Sequence, residues 1–312
     1  LVGSEMCIRD SLWPHRQRNG KDRPHRRSAH PIDLSADPAQ AAGGIRAPRS
    51  HSMNRLLLFD LDGTLLRPDK TISPVNLQAL DDCRRAGCGI GIATARYAGS
   101  AQAYARQVQP EVLVTSCGAL AQVQGKTVYQ DGFAPVEVQR VFACIRRICG
   151  AETEMTVDTL QGHFWNYDRN QRPPDPAWAK SIWSDFRDFS LYALKICAQV
   201  PTDKQVKALQ AALPDCDIRC FSGEENWHKI TKSTATKANA LAPICAVCGL
   251  TIDRITAFGD DFADLEMLRL AGTGVAMGNG VPAVQAVADV TIGPNDTDAI
   301  AAYLHTHILH AE

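Results

Sequence analysis

Two aspartates stand two residues apart where a hydrophobic run ends. In "LLLFDLDGTLL", Leu56 to Leu66, Asp60 and Asp62 follow directly on Phe59. Two like charges at the end of a buried strand cost stability unless something offsets them, and a bound cation or a catalytic task are the usual reasons. One such carboxylate can ligate a cation and attack an electrophile while its neighbour moves protons. Period-two geometry sets both on one side if the strand runs on. Gly63 frees the backbone to turn sharply. The plainer reading is a strand-to-turn junction, where Asp is favoured for the turn itself. D-x-D-G alone leaves both readings open.

Three more places carry chemistry of a matching kind. Thr94 follows "GIGIA" and precedes Ala95 and Arg96. A hydroxyl with backbone amides at a strand end suits a phosphate oxygen, although a threonine capping the next helix looks the same in sequence. "ITAFGDDFAD" ends another apolar run in Asp260, Asp261 and Asp264. Asp260 and Asp264 are four apart, one above the other if a helix has begun. Clustered carboxylates repel without a cation, and an oxygen-rich site beside phosphate suits Mg²⁺. Acids at a helix N-terminus also favour the macrodipole. Lys237, in "ATKANAL", is expected to head a helix, where a cation opposes the dipole and needs a reason to be there.

The surrounding elements read as a scaffold for strand ends. Leu56–Phe59 is a short, fully buried strand. "SPVNLQALDDCRRAG" is a helix with Ser73 as cap, Pro74 at its first position and Gly87 at its end. "CGIGIATAR" is a strand, "SAQAYARQVQ" a helix and "EVLVTSCGA" a third strand. Strand–helix–strand repetition predicts a parallel sheet with crossover helices, an α/β class in which ligands bind beyond the carboxyl ends of strands. From "KTVYQDG" onward strands and helices mix in an α+β style, through "EMTVDTLQGHFWNYD", a proline-rich break "NQRPPDPAW", "LYALKICAQV", "TDKQVKALQAAL" and "CDIRCFSG". Helix–strand alternation then resumes. The expected organisation is a core of residues 53–130 and 231–312 interrupted by an inserted module at 131–230.

Composition excludes several function classes. The 312 residues are 45% hydrophobic and 21% charged with a net charge of −1, so no strong pull towards nucleic acid or an anionic membrane is expected. No apolar run approaches the ~18 residues of a membrane span. Eleven cysteines are scattered among aliphatic residues, as small core hydrophobes are. Cys245 and Cys248 form a C-x-x-C without a second pair or nearby histidines, so neither metal nor redox chemistry is expected of them. No secretory signal precedes the first strand, which makes a cytoplasmic protein the expectation.

The order of the motifs is specific. Asp-x-Asp-Gly-Thr, a strand-end Thr, a Lys, then Gly-Asp-x-x-x-Asp resembles the haloacid dehalogenase (HAD) superfamily, and residues 54–304 resemble its Cof-like branch, subfamily IIB. "VTSCGALA", "GVAMGNGVPAVQAVADVTI" and "NDTDAIAAYL" match further. The resemblance implies a Rossmann-like core with an inserted α/β cap, and a Mg²⁺-dependent phosphatase acting on a small phosphorylated metabolite, as a monomer or homodimer. It implies Asp60 as the nucleophile that forms an aspartyl-phosphate and Asp62 as general acid, then base. Thr94, Ala95 and Lys237 would hold the phosphoryl group. Asp60, the Asp62 backbone carbonyl and Asp260 would ligate Mg²⁺, with Asp264, Asp261 and Asn279 in support and Asp264 steadying Lys237 or a metal-bound water. The chain departs from the family at Cys117, Asp261 and Ala263, where Asn is common, and at Ala95, where Gly is common. None of these removes a core catalytic group.

Two rival functions share the motifs: a phosphomutase, which must also hold a bisphosphate, and a catalytically silent HAD-like binding protein, which should have lost Asp60, Asp62, Lys237 or Asp260. Dehalogenase chemistry leaves Asp62 and the metal acids without purpose. The inserted module should set specificity. "GHFWNYDRN" supplies His163, Trp165, Tyr167 and Arg169, and "EENWHK" supplies Trp227 and His228. Core packing accounts for alternate members of the first stretch equally well.

Residues 1–52 stand apart. They carry nine Lys/Arg against five Asp/Glu and no hydrophobic periodicity, the composition of a disordered tail. "LVGSEMCIRD", residues 1–10, resembles the translation of a transposase-type sequencing adapter, so an artefactual origin is expected for the tail, with Met53 as the natural start. A genuine basic tail or transit peptide is the rival reading.

Overall fold

The computed structural model describes residues 53–167, 181–221 and 226–310. The tail expectations for residues 1–52, the candidate Arg169 and the break at 170–178 lie outside the described residues.

The first part of the chain alternates as expected. It runs β1 (Arg55–Phe59), α1 (Pro74–Arg85), β2 (Cys88–Ala93), α2 (Ala98–Val108), β3 (Val112–Thr115), β4 (Leu120–Val123) and β5 (Lys126–Gln130). Ser73 caps α1 by accepting the Val75 N–H, and Pro74 stands where its missing N–H has no helical partner to lose. One expectation changes: "EVLVTSCGA" is not a simple strand end. The chain reverses at Ser116–Gly118 and returns as β4, antiparallel to β3. Cys117, at φ 65°, and Gly118, at φ 103°, make that reversal.

The chain continues through α3 (Pro135–Cys149), β6 (Met155–Asp158), β7 (His163–Trp165), β8 (Ile182–Trp183), β9 (Lys195–Gln199), α4 (Asp203–Ala212), β10 (Cys216–Cys220) and β11 (Trp227–Lys232). It closes with α5 (Leu241–Cys248), β12 (Ile255–Gly259), α6 (Leu265–Leu270), β13 (Thr273–Ala276), α7 (Pro282–Gln285), β14 (Val290–Thr291) and α8 (Ala299–Leu304). No helix among the described residues is long and apolar enough to cross a membrane.

Two sheets result. The first has the order β14-β13-β12-β1-β2-β3-β4-β5, parallel from β14 to β3. β1 lies inside it, so both its faces are covered: Leu57 and Phe59 pack with α1, α2 and α8, Leu56 and Leu58 with α5, α6 and α7. That is why the run reads as continuously hydrophobic instead of alternating. Truncating such a fully buried leucine to alanine costs roughly 2–5 kcal/mol.

The second sheet has the order β10-β11-β9-β6-β7-β8. Its pairings are antiparallel except for β7 with β8. Met155, Val157, Ile196, Ala198, Ile218 and Ile230 turn one face onto α3 and α4, against Val138, Phe142, Ile145 and Leu209. Residues alternate across a strand, so the intervening positions face the other way.

Candidate active site

The carboxyl ends of β1, β2 and β12 converge on one cavity of about 1000 Å³. Asp60 leaves β1, Thr94 leaves β2, Asp260 leaves β12, and all three line that cavity with Asp62, Ala95, Lys237, Asp261 and Asp264. In a parallel sheet this is the end at which loops are free to carry ligand-binding groups.

Lys237 does not head a helix, contrary to the sequence expectation. α5 begins at Leu241, and Lys237 sits in the preceding loop. That loop closes on itself: the Asn239 N–H donates to Thr236 Oγ1 at 3.1 Å and the Asn239 amide to the Thr234 carbonyl at 2.7 Å. Its position is set by Gly118 instead of a helix dipole. A Cβ on Gly118 would lie 2.4 Å from the Lys237 backbone nitrogen, so only glycine admits this approach.

The Lys237 ammonium joins two carboxylates, donating to Asp60 Oδ1 at 2.6 Å and to Asp264 Oδ1 at 2.7 Å. All three side chains are buried. The other Asp264 oxygen accepts the N–H groups of Asp260 and Asp261 at 3.1 and 3.2 Å, which ties the loop after β12 to the lysine. Asp260 Oδ1 accepts the Thr64 hydroxyl at 2.8 Å. A Cβ on Gly63 would stand 2.1 Å from Asp260 Oδ2, so glycine lets the loop after β1 close on this carboxylate. Asn279 donates to the Gly63 carbonyl at 2.8 Å and fixes the same loop.

One ammonium serves three carboxylates. Donor oxygens of Asp60, Asp260 and Asp264 lie within 4.8 Å of one another. Burial drives the Asp60 carboxyl well above the ordinary value; Lys237 opposes this, and Asp264 and Asp260 add to it. Asp260 is pushed up to about 7, by burial first and by repulsion from Asp264 and Asp261, against the Thr64 hydrogen bond and Lys237. Lys237 itself is raised despite its burial, because Asp264 and Asp60 hold its charge. Such a cluster is short of positive charge.

Asp62 faces elsewhere. β1 ends at Phe59 and the chain turns, so Asp60 and Asp62 do not share a side as a continued strand would require. Arg96 grips Asp62 with two bonds, Nε to Oδ2 at 2.6 Å and a terminal nitrogen to Oδ1 at 2.7 Å, and Lys70 adds a third at 2.8 Å. Partial burial raises the Asp62 carboxyl, but Arg96 and Lys70 outweigh it and hold the group below its ordinary value. The Asp62 side chain is thus outside the acidic cluster, and Asp264 stands within it.

Thr94 is buried, and its hydroxyl oxygen accepts the Arg96 N–H at 3.2 Å. That leaves its O–H proton available to an acceptor. It does not cap α2, whose flanking residue is Tyr97. Asp261 caps the turn before α6 by accepting the Phe262 N–H. Cys117 holds a left-handed conformation, where Asn is tolerated better than most residues. Its thiol donates to the Ala95 carbonyl at 3.8 Å.

The opposite wall is the second sheet. Its cavity face carries Thr156 and Asp158 of β6, His163 and Trp165 of β7, Lys195, Cys197 and Gln199 of β9, and Trp227 of β11, with Tyr167 just beyond β7. The ambiguity of "GHFWNYD" is resolved: Phe164 packs into the core, while His163, Trp165 and Tyr167 line the cavity. His163, Asp158 and Lys195 are direct cross-strand partners. Asp158 accepts from His163 at 2.8 Å, lies 3.0 Å from Lys195 Nζ, and accepts the Ser116 hydroxyl at 3.2 Å. Lys195 also donates to the Ala95 carbonyl at 2.8 Å. These bonds join the second sheet to the loops after β2 and β3.

Sequence reasoning assigned no role to Arg96, Lys70, Asp158 or Lys195. Arg96 had one visible signal, its place two residues after a strand-end threonine. The others had none: Lys70 meets Asp62 across a loop at no helical or strand spacing, and Asp158 and Lys195 pair across strands.

Residues 57–304 match a family model described as haloacid dehalogenase-like hydrolase. The chain is 27% identical over 274 residues to pyridoxal phosphate phosphatase YbhA of Escherichia coli, covering 82% of this chain and 99% of that protein. It is 28% identical over 267 residues to 5-amino-6-(5-phospho-D-ribitylamino)uracil phosphatase YitU of Bacillus subtilis, covering 80% and 96%. A haloacid dehalogenase-like hydrolase from Bacteroides thetaiotaomicron superposes with a TM-score of 0.68 at 21% identity, covering 81% of this chain and 98% of that one. A sugar phosphatase of HAD subclass IIB superposes at 0.67 with 23% identity, again covering 81% and 98%. At these identities the two structures show a shared fold.

Proposed function

The chain belongs to the haloacid dehalogenase-like hydrolase family, and from that premise we propose that it is a Mg²⁺-dependent phosphomonoester hydrolase of small phosphorylated metabolites, working through an aspartyl-phosphate on Asp60. The observation that carries this is the cluster of Asp60, Asp260 and Asp264 around one buried ammonium at the strand ends. The relatives named above are phosphatases and are matched along nearly their whole length.

The donor set fits Mg²⁺: hard carboxylate oxygens, in excess of the local positive charge, with Asp60 and Asp260 both carrying raised carboxyls. Asp60, Asp260 and the Asp62 backbone carbonyl would hold the ion, because both Asp264 oxygens are already engaged by Lys237 and two backbone N–H groups. Bound there, Mg²⁺ neutralises carboxylate and phosphoryl charge.

The protein groups divide the remaining work. Lys237 and the Thr94 hydroxyl hold the phosphoryl oxygens, with the loop at Ala95 beside them. An Asp60 oxygen attacks phosphorus, the ester P–O bond breaks, and the leaving alkoxide takes a proton from Asp62. Water then attacks phosphorus, gives a proton to the Asp62 carboxylate and releases inorganic phosphate, restoring Asp60. Asp62 as held by Arg96 and Lys70 is ionised, which suits the second step. For the first it must loosen from that pair and carry a proton. Asp264 keeps Lys237 in place, and Asn279 keeps the loop after β1 in place.

Residues 131–230 act as the cap, with β11 running two residues beyond that boundary. Lys195 of this wall is already paired with Asp158. Among the described residues that line the cavity, the one lysine of this wall is therefore not free for a second phosphate, which favours a hydrolase over a phosphomutase. A silent binding protein has no use for the intact Asp60, Asp62, Lys237 and Asp260.

The test is phosphate release from a panel of phosphate esters with Mg²⁺ and with a chelator, followed by acid quench of excess enzyme during turnover. A phosphoryl adduct on the peptide containing Asp60 is expected. Asp60→Asn should lose both the adduct and, by about 10⁴-fold or more, the turnover. Turnover retained by Asp60→Asn would place the nucleophile elsewhere.

A further inference from the structure

We propose that the ester hydrolysed here is the monophosphate of a planar aromatic or heteroaromatic alcohol, its ring held against the cavity face of the second sheet. This rests on the phosphatase reading above and adds the leaving group to it.

Five large aromatic side chains line the cavity: Tyr97, Trp165, Tyr167, Phe221 and Trp227. The whole chain is only 6% Phe, Trp and Tyr, so this wall is enriched well beyond the average. Tyr97 stacks on His163 at 4.9 Å and Phe221 lies 5.7 Å from Lys195 Nζ, but core packing does not account for Trp165, Tyr167 and Trp227. The core on the other side of the sheet has its own aromatic cluster, in which Phe142, Phe186, Phe189 and Phe164 meet at 5.1–5.9 Å. Trp165, Tyr167 and Trp227 lie on the opposite face and pack among themselves, Trp165 with Tyr167 at 4.9 Å and with Trp227 at 6.5 Å. Aromatic surface turned towards a pocket of carboxylates gains little from that pocket. It gains most from an apolar, planar ligand, because ring pairs add stabilisation beyond area alone.

The polar groups of the wall narrow the choice. Asp158 and Lys195 are buried and neutralise each other, so they do not select by net charge. A sugar ring would need many hydrogen-bond partners for its hydroxyls. The wall commits its polar groups to one another instead, Gln199 to Glu154 at 2.8 Å and Lys195 to Asp158. The Trp165 indole N–H is buried without an acceptor among the described residues, a donor suited to a ring nitrogen or oxygen substituent. Lys195, the one lysine of this sheet among the described residues that line the cavity, is already paired with Asp158, so the phosphate is placed at the Asp60 end.

The experiment compares kcat/KM for benzyl phosphate, cyclohexylmethyl phosphate and glucose 6-phosphate with the full chain and Mg²⁺. All three release a primary alkoxide, and the first two differ mainly in planarity and π character. Benzyl phosphate is expected to be favoured at least tenfold over both, and Trp165→Leu and Trp227→Leu should each bring the benzyl-to-cyclohexylmethyl ratio towards one. Turnover of all three esters without that preference would overturn the aromatic assignment and leave the phosphatase standing. Absence of any turnover would count against the phosphatase. Calorimetric binding of benzylphosphonate and cyclohexylmethylphosphonate would then judge the wall alone: tenfold tighter benzyl binding supports it and equal binding overturns it.

Discussion

The two walls of the cavity treat charge in opposite ways. At the strand ends of the first sheet, three clustered carboxylates, two of them buried, have one ammonium among them, which pairs with Asp60 and Asp264. On the second sheet, Asp158 is matched by Lys195, His163 and the Ser116 hydroxyl. Burial raises the Asp158 carboxyl, yet Lys195 and His163 more than offset it and hold the group below its ordinary value. Asp60 and Asp260 move the other way. The first wall is arranged for charges that it does not itself supply, a cation and a phosphoryl group. The second neutralises its buried Asp158 from within and turns aromatic surface to the cavity.

The comparison can be broken at its most reactive point. Asp62 belongs to the first wall but is paired like the second, by Arg96 and Lys70. Proton transfer by a positioned acid is worth about 10²–10⁴ in rate. Asp62→Asn should therefore slow the burst of alcohol release from an alkyl phosphate by that factor in a single turnover, and release from an aryl phosphate far less. Equal losses would show that Asp62 acts by holding geometry.

On the second wall the expected effect is on stability. Lys195→Met leaves Asp158 buried with only His163 and Ser116. Breaking a buried pair costs roughly 3–5 kcal/mol, so the melting temperature should drop by about 6–20 °C, while kcat changes less than tenfold. A melting temperature that does not move would show that the pair contributes nothing to joining the walls.

The metal prediction carries a pH sign. Asp260 has a folded value raised from 3.8 to about 7. A raised carboxyl contributes stability below its ordinary value and loses it as pH rises through the folded one. The metal-free protein should lose stability between about pH 4 and pH 7 from this group. Mg²⁺ should raise the melting temperature by several degrees at pH 8 and much less at pH 5. An equal rise at both values would mean that the cluster is not the binding site.

The smallest effect concerns the loop that sets Lys237. Cys117 has φ 65°, a conformation costing most residues roughly 1–2 kcal/mol and Asn less. Cys117→Asn should raise the melting temperature by about 2–4 °C without altering kcat/KM. A lowered melting temperature would show that the thiol packs better than an amide would.

Much of this was legible along the chain. The hydrophobic run before Asp60, the capped helix from Pro74 and the strand ends at Thr94 and Asp260 follow from local periodicity and capping, which neighbours in sequence decide. The family order of the acidic motifs was readable too. Three features were not. Lys237 meets Asp60 across 177 residues, in a loop held by Gly118 and not at a helix start. Arg96 reaches Asp62 only because β2 lies beside β1. The wall of Trp165, Tyr167 and Trp227 exists because one face of the second sheet packs on α3 and α4 and leaves the other to the cavity. Sequence determined which residues end strands. Which of their charges are neutralised, and which remain for a ligand, depended on strand order and sheet facing, because Coulomb interactions act through space and not along the chain.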